Sequence, residues 1–292
     1  MFVTLFLFTC SLFLFLLPER RDTWLALIGG GGLVALVGWL DDRSGLAVGT
    51  RLLAHFVAVG WALFCLGGFP RLVFGSGQTL HLGLWGVPLV LVGGVWLVNL
   101  YNFMDGIDGL AAGEAVFVSA AAGAIGWVKG GESLTLALFA LVAVVAGFLV
   151  WNWSPAKVFM GDIGSGFLGF VFLVFAITGE KIGSVPSLSW AVLLSVFAVD
   201  ATLTLFRRIW KRENLSQAHR NHAFQLAVRN GHSHKAVTLS ITALNIVILL
   251  FALLLDRNFG ILCGVFSAYF AATLLWFLSV RKWFFSAGLE KS

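Results

Sequence analysis

Apolar runs of fifteen to twenty residues, separated by short polar stretches, recur along almost the whole chain. A helix needs about 20 apolar residues, with a range of about 17–25, to cross a bilayer. Ten segments approach or meet that length: 2–17, 24–40, 52–69, 86–103, 111–128, 134–151, 164–178, 187–206, 236–255 and 260–279. The first and seventh are the shortest. No linker, soluble domain or repeat of 20–50 residues interrupts the pattern. The pattern predicts one all-α polytopic membrane domain, a bundle of about ten transmembrane helices spanning 1–292. The first segment lacks a basic flank and a small-residue cleavage site, so it reads as a retained span rather than a leader.

Composition agrees. The chain is 59% hydrophobic and 11% charged, with a mean hydropathy of +0.95, whereas soluble domains are about 25% charged. Cys10, Cys65 and Cys263 lie inside apolar runs, where inert thiols are expected and no disulfide or zinc framework is implied.

A net charge of +5 invites a nucleic-acid reading, but the basic residues are not spread as such a reading needs. Alternating the ten spans puts 13 of the 19 lysines and arginines in one set of loops and tails. Cytoplasmic loops carry that excess. The richer set holds Arg43, Arg51, Lys157, the 207–235 loop and the C-terminal tail, and so predicts a cytoplasmic location for both termini.

The acidic residues fall on the same face. Asp41 and Asp42 end the second span, Asp105 and Asp108 follow the fourth, and Asp162 precedes the seventh. The 207–235 loop adds His219, Arg220 and His222. Carboxylates gathered at a membrane edge repel one another unless a cation lies between them. A hard divalent ion takes oxygen ligands such as Asp and Asn and completes its shell with water and substrate phosphates. The segment Asn99-Leu-Tyr-Asn-Phe-Met-Asp-Gly-Ile-Asp-Gly109 places Asn102 and Asp105 on one helix face, with Gly106 and Gly109 ending the helix and turning Asp108 back toward the site. Gly161-Asp-Ile-Gly-Ser-Gly166 opens the seventh span, and its glycine-lined N-terminus offers free N–H groups to a phosphate.

Plainer readings stand beside these. Asp41-Asp42 can be a helix-end stop, Asp105 and Asp108 turn residues, and Asn99 a packing residue between helices. His219 and His222 can be ordinary loop histidines. Asp200 lies inside the eighth span, where an acid marks a functional site by default, or pairs structurally with Arg207 or Arg208.

The motifs resemble those of the polyprenyl-phosphate N-acetylhexosamine-1-phosphate transferase family (glycosyltransferase family 4), which includes WecA and MraY. Asp41-Asp42 resembles its paired aspartates, Asn102-Phe-Met-Asp-Gly-Ile-Asp-Gly109 its asparagine-and-aspartate loop, and Val158-Phe-Met-Gly-Asp-Ile-Gly-Ser165 its metal-aspartate loop. His219-Arg-Asn-His222 is more similar to the WecA and WbpL branch, which initiates O-antigen and other surface glycans, than to MraY. The resemblance implies transfer of a HexNAc-1-phosphate from a UDP-N-acetylhexosamine to undecaprenyl phosphate, releasing UMP, in the bacterial inner membrane with the site facing the cytoplasm. It implies Mg²⁺, with Mn²⁺ as an alternative, at Asn102 and Asp162. It implies catalytic roles for Asp41, Asp42, Asp105, Asp108 and Asp162, and substrate contacts from Arg51, Asn99, His219, Arg220 and His222. Relatives allow a homodimer. They also carry a further span and a cytoplasmic loop before the helix matching 2–17, so the chain is expected to lack that part. The rival readings are an MraY-like transferase of phospho-MurNAc-pentapeptide, a membrane transporter, and an inactive scaffold.

Overall fold

The computed structural model describes residues 1–68, 71–74, 78–214 and 220–286. Thirteen α-helices are found among them: α1 (Phe2–Leu16), α2 (Arg21–Ala26), α3 (Gly32–Ser44), α4 (Val48–Leu66), α5 (Gly86–Met104), α6 (Leu110–Val128), α7 (Glu132–Asn152), α8 (Gly161–Ile182), α9 (Ser187–Leu193), α10 (Ser195–Trp210), α11 (Ala223–Arg229), α12 (His234–Phe259) and α13 (Ile261–Ser286). A π-helical turn, Leu27–Gly31, joins α2 to α3, so Pro18–Ser44 forms one apolar helical stretch of 27 residues.

Among the described residues, eight helices are long and apolar enough to cross a membrane, and α9 with α10 forms a further candidate bent by 72°. The protein is an integral membrane protein of the all-α class. Helices are expected, because backbone polar groups in hydrocarbon have no water to satisfy them. Helix α1 has 15 residues, as short as the sequence suggested. The seventh segment does not stay short. Its helix runs 22 residues, Gly161–Ile182, because Asp162 opens it and Glu180 and Lys181 close it from inside the helix rather than bounding it. A small departure from the all-helical expectation is a hairpin of β1 (Leu72–Phe74) and β2 (Gln78–Leu80), antiparallel with Val73 opposite Thr79.

Helix α8 is the axis of the bundle. It is apolar all round and buried along most of its length, as a helix surrounded by other helices must be. α3 and α5 both pack along it. The α3 contact is close at its site end: a Cβ on Gly38 would lie 2.6 Å from the backbone of Asp162 and Ile163. Small residues permit such backbone-to-backbone approach between membrane helices. Gly38 therefore brings the end of α3, with Asp41 and Asp42, onto the start of α8.

The other end of α8 is braced by its own charges. Glu180 accepts hydrogen bonds from the N–H of Val73 at 2.7 Å and of Ser187 at 2.5 Å. Lys181 donates to Asp22 at 3.0 Å and to the Leu66 carbonyl at 2.9 Å.

Candidate active site

The N-terminus of α8 gathers residues from four stretches of the chain. Asp42 accepts the N–H of Asp162 on Oδ1 at 2.9 Å and that of Ile163 on Oδ2 at 3.2 Å. The first N–H groups of a helix lack partners inside it, and a carboxylate there also meets the positive end of the helix dipole. The sequence suggested that these N–H groups would be free for phosphate; two of them are held by Asp42 instead. Gly161 makes this possible. Its φ is +66°, and a Cβ there would come within 2.5 Å of Asp42 Oδ2.

Arg51, near the start of α4, bridges the two neighbouring acids. Its Nη1 lies 2.5 Å from Asp41 Oδ2 and 3.2 Å from Asp162 Oδ2. Asp41 is held on its other oxygen by the N–H of Leu46 at 2.5 Å. From α5, Asn102 Nδ2 donates to Ser165 Oγ at 3.1 Å, and Ser165 in turn donates to the Gly161 carbonyl at 3.0 Å. Asn102 thus stands over the first turn of α8 beside Asp162.

Asp105 caps the end of α5. Burial first, then the charges of Asp162 and Asp42, push its carboxyl up to about 7. Burial disfavours the charged carboxylate, and the two neighbouring acids add to that.

Asp108 faces elsewhere. Its Oδ2 accepts the Ala156 N–H at 3.2 Å, its Oδ1 lies 3.2 Å from His234 Nδ1, and its carbonyl accepts from Thr238 Oγ1 at 3.0 Å. Burial raises the carboxyl, but the Ala156 N–H and His234 outweigh it, leaving the group below its usual value. The expected swing of Asp108 back toward Asp162 is not what these bonds describe. Asp108 ties the α5–α6 loop to the α7–α8 loop and to the start of α12. The adjacent Gly109 N–H is taken by Asn152 Oδ1 at 3.1 Å.

Asn99 lies one turn deeper. Its amide donates to the Val95 carbonyl at 2.7 Å and to His55 Nδ1 at 3.3 Å, which joins α5 to α4 one turn below Arg51. His222 is buried. It caps α11, with its own N–H on Gln225 Oε1 at 3.2 Å, and its Nδ1 lies 3.5 Å from Asp200 Oδ1. The same Asp200 oxygen accepts the Ala223 N–H at 3.0 Å and Trp276 Nε1 at 3.0 Å. Asp200 therefore anchors α11 to α10 and α13. The Arg207 and Arg208 pairing considered for it goes to Glu213 instead. Arg220 is exposed in the loop before α11, and His219 lies outside the described residues. Helix α11 meets the α5–α6 loop directly, since a Cβ on Gly106 would lie 2.9 Å from Phe224 and Gln225.

A cavity of about 410 Å³ runs between α10, α11, α12 and α13 and touches Met104, the residue before Asp105. Its lining is apolar apart from Asp200, His232, Ser240 and Trp276.

Asn152, Thr238 and Trp276 join the site region without having been singled out from the sequence, and His234, read there as an ordinary histidine near a helix start, joins it as well. His234 is 126 residues from Asp108, and no local pattern marks such a partner.

Among the described residues, no three carboxylates, imidazoles or thiols form a complete ligand set for a metal. The donors at the α8 N-terminus are oxygens from Asp and Asn in a region of excess negative charge. That fits the mode in which a small divalent cation takes one or two protein ligands and finishes its shell with water and phosphate.

These features define a polytopic membrane protein with an acidic, oxygen-rich site at the ends of its central helices. The family model described as glycosyl transferase family 4 matches residues 24–180, and the chain belongs to that family. It is 29% identical over 244 residues to a Bacillus subtilis (strain 168) protein named "Probable undecaprenyl-phosphate N-acetylglucosaminyl 1-phosphate transferase", covering 81% of this chain and 66% of the relative. It is 30% identical over 222 residues to the undecaprenyl-phosphate alpha-N-acetylglucosaminyl 1-phosphate transferase of Escherichia coli (strain K12), covering 72% and 60%. A phospho-N-acetylmuramoyl-pentapeptide-transferase of Streptococcus pneumoniae (strain Taiwan19F-14) is 38% identical over 149 residues, covering 47% and 44%. The chain thus spans less than two thirds of the length of each of these relatives.

Proposed function

We propose that this chain carries out transfer of a HexNAc-1-phosphate from a UDP-N-acetylhexosamine to undecaprenyl phosphate, with release of UMP. The observation that carries this reading is the convergence of Asp41, Asp42, Arg51, Asn102 and Asp162 on the first turn of α8. The names of the relatives supply the chemistry, and the family match supports it.

Phosphoryl transfer of this kind depends mostly on positioning and charge stabilisation. Asp162 and Asn102 would hold a Mg²⁺ or Mn²⁺ ion, which when bound neutralises the diphosphate and steadies the leaving UMP. Arg51 is placed to share its guanidinium between the carboxylates and a diphosphate oxygen. Asp42 fixes the α8 start and so the direction of Asp162. Asp41 sits beside Arg51, where it would orient the lipid phosphate or accept its proton. Asp105 would shape the nucleotide side, and Arg220, just before the helix start that His222 and Asp200 anchor, would contact the sugar nucleotide; the same role is proposed for His219. The apolar cavity touching Met104 suits the first prenyl units of the acceptor. The positive-inside count supports a cytoplasmic site in the bacterial inner membrane.

The test is release of UMP from UDP-GlcNAc in detergent with undecaprenyl phosphate, run beside UDP-MurNAc-pentapeptide. Lipid-dependent UMP release that Asp162→Ala abolishes, while the variant still inserts, is the expected result. Equal rates in Asp162→Ala would overturn the assignment.

A further inference from the structure

Ser165 lies in the first turns of α8 and is fully buried. Its hydroxyl carries one proton, and that proton goes to the Gly161 carbonyl four residues back at 3.0 Å. Serine hydroxyls inside helices back-bond in this way. Toward any other group Ser165 Oγ can therefore only accept.

The other group it meets is Asn102. A carboxamide has a donating nitrogen at one end and an accepting oxygen at the other. Its oxygen, turned toward Ser165 Oγ, would face a second acceptor. Nδ2 must point there instead, and it does so at 3.1 Å. That commits Oδ1 to the other side of the amide. Among the described residues Oδ1 accepts no hydrogen bond, and the amide lies beside the Asp162 carboxylate. An acceptor oxygen next to a carboxylate, with no protein donor of its own, suits a hard divalent cation.

The contact depends on how closely α5 and α8 pass. A Cβ on Gly169, one turn beyond Ser165, would lie 2.7 Å from the Leu97 carbonyl oxygen and 2.9 Å from Val98 Cα. Glycine permits that approach, and a side chain as short as serine then spans the gap to Asn102. The Asn102 backbone is held as well, since its carbonyl accepts the Asp105 N–H at 3.2 Å. With the backbone fixed and Nδ2 committed, the amide has lost the half-turn that would exchange its two ends.

We propose that Ser165 is a positioning residue for the divalent cation: by accepting from Nδ2 it fixes which end of the Asn102 amide faces the metal. That role rests on the assignment of Asn102 and Asp162 to the metal. Hydrogen-bonded partners behind a metal ligand are worth about 10–100-fold in affinity.

The experiment is Mn²⁺ binding to the purified protein in detergent, followed by loss of the free-ion EPR signal, which needs no turnover. Asp162→Ala should abolish saturable binding. Unchanged binding in that variant would overturn the metal assignment and the role of Ser165 with it. Ser165→Ala should weaken binding about tenfold, and Asn102→Ala at least as much. Ser165→Cys fills the same space but accepts only weakly, so it should fall between wild type and alanine. Because Ser165 acts through Asn102, the double variant Ser165→Ala/Asn102→Ala should bind no more weakly than Asn102→Ala alone. A purely structural role would instead add the two losses. Cooperative thermal unfolding in EDTA shows that each variant is folded. Where Asp162→Ala loses binding, unchanged affinity in Ser165→Ala and Ser165→Cys, or additive losses in the double variant, would overturn the role of Ser165 and leave the metal assignment standing.

Discussion

Asp42 holds the backbone of Asp162: its Oδ1 accepts the Asp162 N–H at 2.9 Å while Oδ2 accepts the next N–H of the same helix. The two acids therefore work in series. One fixes the start of α8, and the other projects from it toward Arg51.

Asp42→Ala should lower UMP release about 100-fold, since a misplacement of about 1 Å at a reacting centre costs that much. Asp42→Asn keeps an oxygen that can accept one N–H and should fall between wild type and alanine. Steady-state rates of the three proteins check this. Identical rates for Asn and Ala would show that the charge, not the cap, is what matters.

Arg51 bridges Asp41 and Asp162 through the single nitrogen Nη1, which leaves the rest of its guanidinium to donate to a diphosphate oxygen, whereas a compact Lys ammonium holding both acids would have no second nitrogen to offer. Arg51→Lys should retain only a few per cent of activity, and Arg51→Ala should lose about 10²–10³ in rate. The readout is kcat and KM for the UDP-sugar. A change confined to KM for the lipid acceptor would argue against a diphosphate contact.

Asp105 gives a pH and metal prediction. Its carboxyl rises from an ordinary 3.8 to about 7 in the folded protein, so the folded state binds the proton more tightly than the unfolded one. Stability from this group is therefore full below its ordinary value, falls as pH rises toward about 7, and is flat above that. A divalent cation favours the charged form and reverses the loss. The melting temperature in EDTA should drop between pH 5 and pH 7.5, and Mg²⁺ should raise it more at pH 7.5 than at pH 5.5. Proton uptake or release on adding Mg²⁺ at pH 6.5, followed in weak buffer, should show release from wild type and less from Asp105→Asn.

Away from the site, Glu114 in α6 accepts a hydrogen bond from Asn245 in α12, with both side chains buried. Glu114→Gln keeps the volume and an acceptor and should leave the melting temperature nearly unchanged. Asn245→Leu strands a buried carboxyl and should cost about 1–3 kcal/mol, read by thermal unfolding in detergent.

The sequence by itself determined the membrane class and where the chemistry is concentrated. Hydropathy is a local property, and hydrocarbon leaves the backbone little choice but helix, so segments such as 86–103 and 111–128 are legible within a residue or two of α5 and α6. The acidic motifs are legible for the same reason: Asp41-Asp42, Asn102 to Asp108 and Asp162 are out of place in so apolar a chain. Only the tertiary structure decided which group meets which. Asp42 meets Asp162 across 120 residues, and His234 meets Asp108 across 126, through helix contacts that leave no periodic trace. Gly38, unremarkable in sequence, sets the α3–α8 approach. Asp200 turned out to partner His222 and Trp276 because the 72° bend between α9 and α10 and the packing of α13 place them together. Pairings of this kind depend on distances between whole helices, and a linear pattern does not encode them.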